Sequence, residues 1–358
     1  MTTPNARRRF PQAVLSVAEA VRAAPSADNL QPIGLRYDGE ALALRHRESR
    51  GPSFPARHPA TLIAAGAAVE NIAQATRAME LDAEITAPLD GDNEYARIRL
   101  RSPSAPVSTL PRPLALFQRH TNRHGFRSAP IPESTLVGVR AMQESGARIM
   151  LFQRPDEIRA LAGFTRIASQ ARFRTPEIHA WLASSLRMTP EEVARCDGLD
   201  IRTLDLPPGG RHLLKYIADW RRLSPLNRIG AYRLLAAIEA RPIGQAPLLI
   251  GVIAQTPFSA GRLMERVWIE LNALGLGVQP YYVIPDQMQR LQSEAVPLAF
   301  RDSIRSMADG VNAMLSMARD ESIQMILRVG WPTRKPVRSL RLPLDDLMSD
   351  DQSDAGAC

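Results

Sequence analysis

Residues 24–32 bring together side chains that could hold a planar polar ligand. The segment contains two prolines and three residues with hydroxyl or amide side chains: Pro25, Ser26, Asn29, Gln31 and Pro32. Prolines stiffen the turn, and hydroxyl and amide groups both donate and accept hydrogen bonds, so the segment suits a heterocycle with mixed donor and acceptor edges. A plain turn that ends a helix uses the same residue types. The segment alone leaves both interpretations open.

Residues 119–126 carry positive charge beside a hydroxyl group. Arg119 and Arg123 flank Thr121, and His120 stands next to the threonine. Two guanidinium groups with a hydroxyl between them, near a predicted helix start, supply charge-assisted donors for a phosphate monoester. We therefore predict that this segment binds the phosphate of a ligand.

Together the two segments resemble motifs of the nitroreductase-like flavoproteins. The first resembles the segment that contacts the flavin ring in that family, and residues 119–123 resemble the motif that binds the FMN phosphate. Residues 273–280 are similar to the helix-to-loop segment that runs under the flavin. The resemblance implies an α+β fold and FMN held between two subunits, with the phosphate bound by one subunit and the ring edge by the other.

The resemblance also assigns individual roles. Tyr282 and Val283 take the positions beyond Pro280 whose backbone N–H usually faces flavin N5, and Arg338, ahead of Arg341, takes the role of a basic residue that returns to the phosphate. The predicted cofactor-binding residues are Pro25, Ser26, Asn29, Gln31, Arg119, His120, Thr121, Arg123, Pro280, Tyr282, Val283, Arg338 and Arg341.

Lys215 and Tyr216 form the catalytic candidate. Azoline dehydrogenases of the same superfamily use a lysine and a tyrosine to remove a proton beside FMN, and a desolvated lysine can act as a base. A Lys-Tyr pair on an amphipathic helix more often forms a solvated edge. Both interpretations stay open.

The charge and cysteine content exclude several classes of protein. The net charge is +8, from 45 Lys+Arg and 37 Asp+Glu, but the arginines are dispersed and no basic helix carries interleaved aromatic residues, so we predict no nucleic-acid partner. Cys196 and Cys358 cannot build a disulfide framework or a zinc site, and we predict no metal. No apolar run approaches ~18 residues, and the basic start lacks the apolar run of a signal peptide. We expect a cytoplasmic protein with a small-molecule substrate and no membrane partner.

An internal repeat predicts two lobes. Residues 65–85 align without a gap with residues 260–280, so that Gly66 coincides with Gly261 and Glu70 with Glu265. Chance similarity between two amphipathic helices is the alternative. Because only the first half carries the ring motif and only the second half carries the phosphate motif, we expect one complete composite site and one that has lost its ligand.

Local patterns predict the elements and the domain boundaries. Helices are predicted at 13–24, 61–79 and 259–274, strands at 83–85, 148–152, 247–254 and 325–330, and a hairpin around residues 38–39. A proline-rich linker at 102–113 separates an N-terminal lobe, 1–112, from a C-terminal lobe, 113–345, which contains a helical insertion at about 155–242; an acidic tail, 346–358, is expected to be disordered. The insertion could lie over the cofactor as a lid.

The predicted fold is therefore α+β: a duplicated nitroreductase-like fold, with mixed or antiparallel sheets flanked by helices, in which two lobes form an intramolecular pseudo-dimer. The chain could be a monomeric pseudo-dimer or a homodimer. We expect an FMN-dependent oxidoreductase that transfers hydride through flavin N5, between NAD(P)H or an organic substrate and an acceptor. The alternatives are an FMN-sequestering protein with a closed lid and an FMN-dependent dehydrogenase of a biosynthetic intermediate.

Overall fold

The computed structural model describes residues 10–47, 54–89, 91, 93–101 and 114–350, and these residues form an α+β fold with two main sheets. The predicted linker at 102–113 lies outside the described residues. Among the residues described, no helix is long and apolar enough to cross a membrane.

The first sheet has the strand order β11-β1-β2-β4-β3. Its strands are β1 (Ile33–Tyr37), β2 (Ala41–His46), β3 (Ala83–Thr86), β4 (Glu94–Leu100) and β11 (Met348–Asp350). Helices α1 (Gln12–Ala23) and α2 (Pro59–Ala78) share a buried apolar cluster with these strands. The burial of this apolar surface holds the first lobe together. The predicted hairpin around residues 38–39 is the β1–β2 connection.

The second sheet is antiparallel, with the strand order β5-β8-β10-β9. Its strands are β5 (Ala147–Phe152), β8 (Leu248–Ala254), β9 (Gly277–Tyr281) and β10 (Ser322–Gly330). Helices α3 (Ala115–Gln118), α4 (Glu133–Arg140) and α11 (Pro257–Ala273) belong to this half, together with α5 (Pro155–Arg172), α10 (Ala231–Gly244), α12 (Val283–Gln292) and α13 (Arg301–Leu315).

Strand β8 is buried along its whole length because helices cover both faces of its sheet. Leu248 and Ile250 enter the cluster that contains α11, whereas Leu249 and Ile253 enter the cluster that contains α5, α10, α12 and α13. Successive residues of a strand face opposite sides, so a strand covered on both faces reads as the continuous apolar run seen in the sequence.

The two lobes meet where α2 crosses α11, and the contact is reciprocal. A Cβ atom on Gly66 would lie 2.1 Å from the backbone oxygen of Phe258, and a Cβ atom on Gly261 would lie 2.1 Å from the backbone oxygen of Ile63. Ile63 and Phe258 each lie two residues before the aligned segments, so they pair when the repeat alignment is extended toward the N-terminus. In a two-fold interface every contact occurs twice, with the roles of the two halves exchanged. The contacts Gly66–Phe258 and Ile63–Gly261 are related in this way. The helix crossing therefore has the pseudo-two-fold relation that the repeat requires, while a duplication as its origin stays a proposal.

Only part of the predicted insertion projects from the second lobe. Helices α5 and α10 bury Ile158, Leu161 and Ile243 against the sheet and so belong to its core. The remaining elements are α6 (Pro176–Ser185), α7 (Pro190–Val193), α8 (Gly210–Ile217), α9 (Trp220–Arg228) and the short parallel pair β6 (Leu186–Arg187) and β7 (Leu199–Asp200). The part that can cover a ligand is residues 173–230, which we call the cover segment.

The expectation of disorder from residue 346 onward is wrong for residues 346–350. Met348 pairs with Leu35 in a parallel bridge between β11 and β1, so the end of the second half returns to the first sheet. Leu344 and Leu347 are buried in the first lobe's core. The acidic composition masked these apolar anchors, whose burial orders the segment. Residues 351–358 lie outside the described residues.

Candidate functional site

A cavity of about 210 Å³ lies where the first lobe and the second lobe meet the residues that follow β10. These residues, 331–350, are called the C-terminal segment. Its charged lining residues are Glu19, Arg22, Arg119, Arg123, Arg338 and Arg341, and His120, Thr121, Thr203 and Ser339 add polar groups. The lining therefore contains five arginines and one glutamate. Such an excess of positive charge in a concave site attracts anions.

The predicted phosphate motif forms one wall of this cavity because its backbone is anchored to the second lobe. Asn122 N donates to the backbone oxygen of Val278 in β9 at 2.8 Å. His120 N donates to Asn272 Oδ1 at 2.8 Å, and the His120 carbonyl accepts from Trp268 Nε1 at 3.0 Å. These contacts fix the loop, and the structure brings Arg119, His120, Thr121 and Arg123 together as predicted.

Arg119 lies between the cavity and a buried carboxylate. Its Nε atom is 2.9 Å from Glu265 Oε1, one of its terminal nitrogens donates to the Ala23 carbonyl at 2.8 Å, and its guanidinium lies 4.6 Å from the ring centroid of Trp268. Burial raises the pKa of Glu265 to about 7, against the opposing charges of Arg119 and Arg341. Burial likewise lowers the pKa of Arg341 to about 9, so this arginine remains protonated at neutral pH.

Arg123 of the phosphate motif and Arg338 of the C-terminal segment both line the cavity. The side chain of Arg123 donates to Thr203 Oγ1 at 3.2 Å, and burial lowers its pKa. Arg338 donates to the carbonyls of Phe117 and Arg119 at 2.7 and 2.8 Å. Both predicted roles of the C-terminal arginines are thus compatible with their positions, since Arg338 and Arg341 both line the cavity.

The predicted ring motif has an unusual backbone. Asp28, Asn29 and Gln31 have φ values of 47°, 58° and 52°. Asp and Asn tolerate this left-handed region better than other non-glycine residues, and Gln does not share that advantage. Each such residue costs on the order of 1–3 kcal/mol, and strain of this kind tends to occur where a site requires it.

The polar groups of the ring motif bond to the C-terminal segment and to the cover segment. Asn29 Nδ2 donates to the Leu340 carbonyl at 3.0 Å, and Asn29 Oδ1 accepts from Arg341. Gln31 Nε2 donates to the Cys196 carbonyl at 2.9 Å, while Gln31 Oε1 accepts from Leu342 N at 3.0 Å. These contacts fix Arg341 at the edge of the cavity.

Pro25 and Ser26 line a smaller cavity of about 10 Å³, together with Gln31. Ser26 Oγ accepts a hydrogen bond from Gln31 N at 2.9 Å, which closes the turn. Arg22 lines both this cavity and the larger one. The ring motif and the phosphate motif therefore adjoin across Arg22.

The cover segment is fastened over both motifs. Asp205 Oδ1 lies 3.1 Å from His124 Nδ1, and Asp205 also pairs with Arg334. At the other end, Trp181 Nε1 donates to Asp28 Oδ2 at 3.3 Å, and the Trp181 ring stacks on Phe54 with centroids 3.9 Å apart. These contacts hold the segment against both motifs, while its action as a lid stays a prediction.

The structure does not bring Lys215 and Tyr216 to either cavity. Both side chains are exposed on α8, and Tyr216 packs under the guanidinium of Arg222, 5.0 Å from its ring centroid. Neither side chain is among the residues that line the two cavities, so neither is placed to contact a ligand held there. The catalytic prediction for this pair is not supported by its placement.

Pro280, Tyr282 and Val283 also lie outside the lining of the two cavities. Pro280 is in β9, Tyr282 caps α12, and Val283 is buried in the second lobe's core as the first residue of that helix. The first N–H groups of a helix have no acceptor within it, so this end of α12 can present a backbone donor to a ligand. The N5 contact assigned to Val283 stays a prediction.

Sequence reasoning missed five polar or charged residues of the site: Glu19, Arg22, Thr203, Glu265 and Ser339. Arg22 lies one helical turn C-terminal to Glu19 and pairs with it at 2.5 Å, so helix periodicity could have placed the two on one face. Glu265 had a signal in the repeat, as the counterpart of Glu70. Thr203 reaches the site only through the path of the cover segment.

The repeat-equivalent position in the other half is filled by ion pairs. Glu70 pairs with Arg266 at 2.7 Å, and Glu144 pairs with Arg262 and Arg266 at 2.6 and 2.8 Å. Glu144 belongs to residues 143–148, which stand where the second half lacks a ring motif. Four charged side chains thus pair with one another at this position, and the loss of a second ligand site there stays a prediction.

No protein-family model matches the chain. An uncharacterised protein of Mycobacterium tuberculosis (strain CDC 1551 / Oshkosh) is 28% identical over 280 residues, which are 74% of this chain and 38% of that protein. The chain thus spans about two fifths of the length of the curated relative that it matches.

Among solved structures, an FMN-dependent nitroreductase from Mycobacterium smegmatis in complex with NADPH is 17% identical, with a TM-score of 0.36, over 65% of this chain and 94% of that chain. Iodotyrosine deiodinase bound to FMN and 3-iodo-L-tyrosine is 13% identical, with a TM-score of 0.33, over 63% and 91%. An FMN-dependent nitroreductase from Clostridium difficile R20291 is 10% identical, with a TM-score of 0.31, over 62% and 88%. This chain is similar to these proteins. The residues of the cavity, rather than these similarities, support the function proposed below.

Proposed function

We propose that this protein binds one FMN between its lobes and acts as an FMN-dependent oxidoreductase of the nitroreductase type. One observation supports the proposal most strongly: five arginines from α1, the phosphate motif and the C-terminal segment line one cavity, beside a strained turn that resembles a flavin-ring motif.

The residues of the cavity fit the phosphate end of FMN. Arg22, Arg123 and Arg338 line the cavity and carry guanidinium groups, and Thr121 adds a residue with a hydroxyl. A phosphate dianion would offset two of these three positive charges, and charge-assisted hydrogen bonds to arginine are among the stronger ones in proteins. Arg119 and Arg341 would contribute from the inner wall, where Glu265 already shares their charge.

The ring end requires an exchange of contacts. The cavity of about 210 Å³ is smaller than the roughly 300–1,000 Å³ of ordinary ligand pockets, so it must widen for a whole FMN. Asn29 and Gln31 would give up their bonds to Leu340, Cys196 and Leu342 and offer the same amide groups to the ring edge. Opening of the cover segment provides the space.

When bound, FMN would supply hydride transfer through N5, and NAD(P)H or an organic substrate would be the hydride donor. The protein's part is to bind, orient and exclude water. The ring motif would orient the ring, the first turn of α12 would donate a backbone N–H, and the cover segment would exclude water from the closed site.

A second candidate function is FMN sequestration. The specific observation that favours it is the fastening of the cover segment at both ends, through Asp205 on His124 and Trp181 on Asp28. A closed cover would retain flavin and block a second substrate. The third alternative, dehydrogenation of a biosynthetic intermediate, loses its residue-level support with the exposed positions of Lys215 and Tyr216.

Anaerobic titration of the FMN-loaded protein with NADPH and NADH separates these functions. We expect bleaching of the flavin absorbance with about one equivalent of reduced nicotinamide per FMN. Retained flavin that stays oxidised under excess of both nicotinamides would contradict the reductase and support sequestration.

Replacing Asp205 with asparagine is expected to speed FMN dissociation about two- to fivefold, because it removes the carboxylate that pairs with Arg334 and lies 3.1 Å from His124 Nδ1. A partly exposed ion pair contributes roughly 0–1 kcal/mol, which sets the size of the effect. Recovery of flavin fluorescence after dilution measures the rate.

The matched control is Asp302→Asn, which removes an exposed carboxylate that pairs with Arg305 on α13. This variant should release FMN at the wild-type rate. Equal dissociation rates for Asp205→Asn and the wild type would show that the cover segment does not retain the ligand.

A further inference from the structure

Two buried glutamates occupy equivalent positions in the two halves of the chain. Glu70 in α2 and Glu265 in α11 are 3% and 0% exposed, and they coincide in the repeat. Burial alone would raise the pKa of Glu70, but hydrogen bonds and charge from Arg266 outweigh it and lower the pKa overall. The ion pair with Arg266 thus favours the ionised form of Glu70.

Glu265 has a different environment. Neither of its carboxylate oxygens has an aligned hydrogen-bond donor in the part of the chain that the structure describes, although Arg119 Nε lies 2.9 Å from Oε1. The charged groups that face it are Arg119 from the phosphate motif, Arg341 from the C-terminal segment and Glu70 from α2, and the Asn71 amide lies beside it. Burial dominates here and raises the pKa of the carboxyl to about 7.

Two arginines connect Glu265 to the cavity. Arg119 and Arg341 both interact with Glu265, and both line the cavity that would receive a phosphate. An anion bound in the cavity would interact with Arg119 and Arg341, the same arginines that stabilise the Glu265 carboxylate. Because a nearby negative charge disfavours a second ionised acid, the anion raises the proton affinity of Glu265.

We propose that Glu265 balances the charge of this site: its carboxylate takes up a proton from solvent when a phosphate dianion binds, and the carboxylic acid releases that proton when the anion leaves. The inference rests on the proposed function only in placing a phosphate in the cavity. The O–H bond of Glu265 forms as a buffer acid in the solvent gives up its proton, and the reverse transfer occurs on release; no other covalent bond changes.

The coupling has a definite sign with respect to pH. Glu265 is protonated in both states well below pH 7, so affinity for the dianion is greatest there as far as this group is concerned. As pH rises through the pKa of Glu265 in the ligand-free protein, the carboxyl becomes ionised. Binding of the dianion must then be accompanied by protonation of Glu265, so the affinity for the dianion falls. We expect the Kd for FMN to rise by roughly three- to tenfold between pH 7 and pH 8.5, since a full proton corresponds to tenfold per pH unit.

Isothermal titration calorimetry measures the proton directly. FMN is titrated at pH 8 in two buffers that differ in ionisation enthalpy; the phosphate, with its second pKa near 6, is already a dianion. We expect uptake on the order of half a proton per FMN and none for riboflavin, which lacks the phosphate. FMN binding with the same heat in both buffers would overturn the inference while leaving the proposed function intact.

Glu265→Gln identifies the source of the proton. This variant should bind FMN with no proton uptake and with a flatter pH dependence. His120, another titratable group of the cavity, has its pKa lowered chiefly by burial, so it contributes little at pH 8. Uptake that persists in Glu265→Gln would assign the proton to another group. Glu70→Gln is the matched control and should keep the uptake even if its melting temperature falls.

Inorganic phosphate separates this inference from the proposed function. A wild-type protein that binds phosphate with proton uptake but does not bind FMN would support the charge-balancing role and overturn the flavin proposal. A protein that binds neither would overturn both.

Discussion

Replacing Arg123 with methionine is expected to weaken FMN binding by roughly 10- to 100-fold, which corresponds to the loss of about 1.4–2.8 kcal/mol from a charge-assisted hydrogen bond. Arg123 lines the cavity and donates to the Thr203 hydroxyl, which also donates to the Asp200 carbonyl at 2.8 Å and so keeps a bond after the substitution. The substitution therefore removes a phosphate contact with little cost to the fold. Flavin fluorescence titration gives the Kd.

Riboflavin and a distant arginine provide the controls for this prediction. The affinity for riboflavin should change by no more than about twofold, because the lost contact is to the phosphate. Arg140→Met, which removes an exposed arginine that pairs with Glu133 at 2.8 Å, should leave the Kd for FMN unchanged. An equal loss of affinity for FMN and riboflavin in Arg123→Met would show that Arg123 does not bind the phosphate.

Substitution of Gly66 or Gly261 with alanine is expected to destabilise the protein by about 3 kcal/mol or more. Each added Cβ would meet a backbone oxygen of the facing helix at 2.1 Å, and two helix backbones cannot move apart without opening the core between the lobes. Similar losses at the two positions would follow from the pseudo-two-fold contact. Urea unfolding at equilibrium measures the change.

Gly163→Ala is the matched control within a helix. Gly163 lies in α5, and its added Cβ would meet nothing within 4 Å. Alanine there should stabilise the protein by about 0.5–1 kcal/mol, because glycine loses more conformational freedom on folding. If Gly66→Ala and Gly261→Ala unfolded at the same urea concentration as the wild type, the close crossing of α2 and α11 would be contradicted.

Local periodicity was sufficient to predict the elements whose own sequences are long apolar or amphipathic runs. Strand β8 and helices α2 and α11 agree with the predictions within a few residues, because long apolar or amphipathic runs bury themselves in any α+β arrangement. Strand β9 was predicted as a loop instead. It contains Pro280 and two other residues without strong strand preference, and its pairing with β10 decides its conformation.

The same distinction applies to the site. Arg119 to Arg123 could be predicted because they are adjacent in sequence, and their chemistry does not depend on the fold. The contacts of Asn29 and Gln31 could not, since their partners Leu340, Leu342 and Cys196 are more than 160 residues away. The exposure of Lys215 and Tyr216 agrees with the solvated-edge interpretation, but the sequence left the choice open because the packing of the cover segment decides which face of α8 meets solvent.

The most direct test of the central claim is the number of FMN molecules bound per chain. The protein is saturated with FMN, freed of excess by dialysis, and the flavin absorbance is compared with the protein concentration. One FMN per chain is expected, because the arginine-lined cavity adjoins the only ring motif predicted, while Glu70, Glu144, Arg262 and Arg266 fill the equivalent place in the other half. Two FMN per chain would contradict the single composite site, and no retained FMN would contradict the site itself.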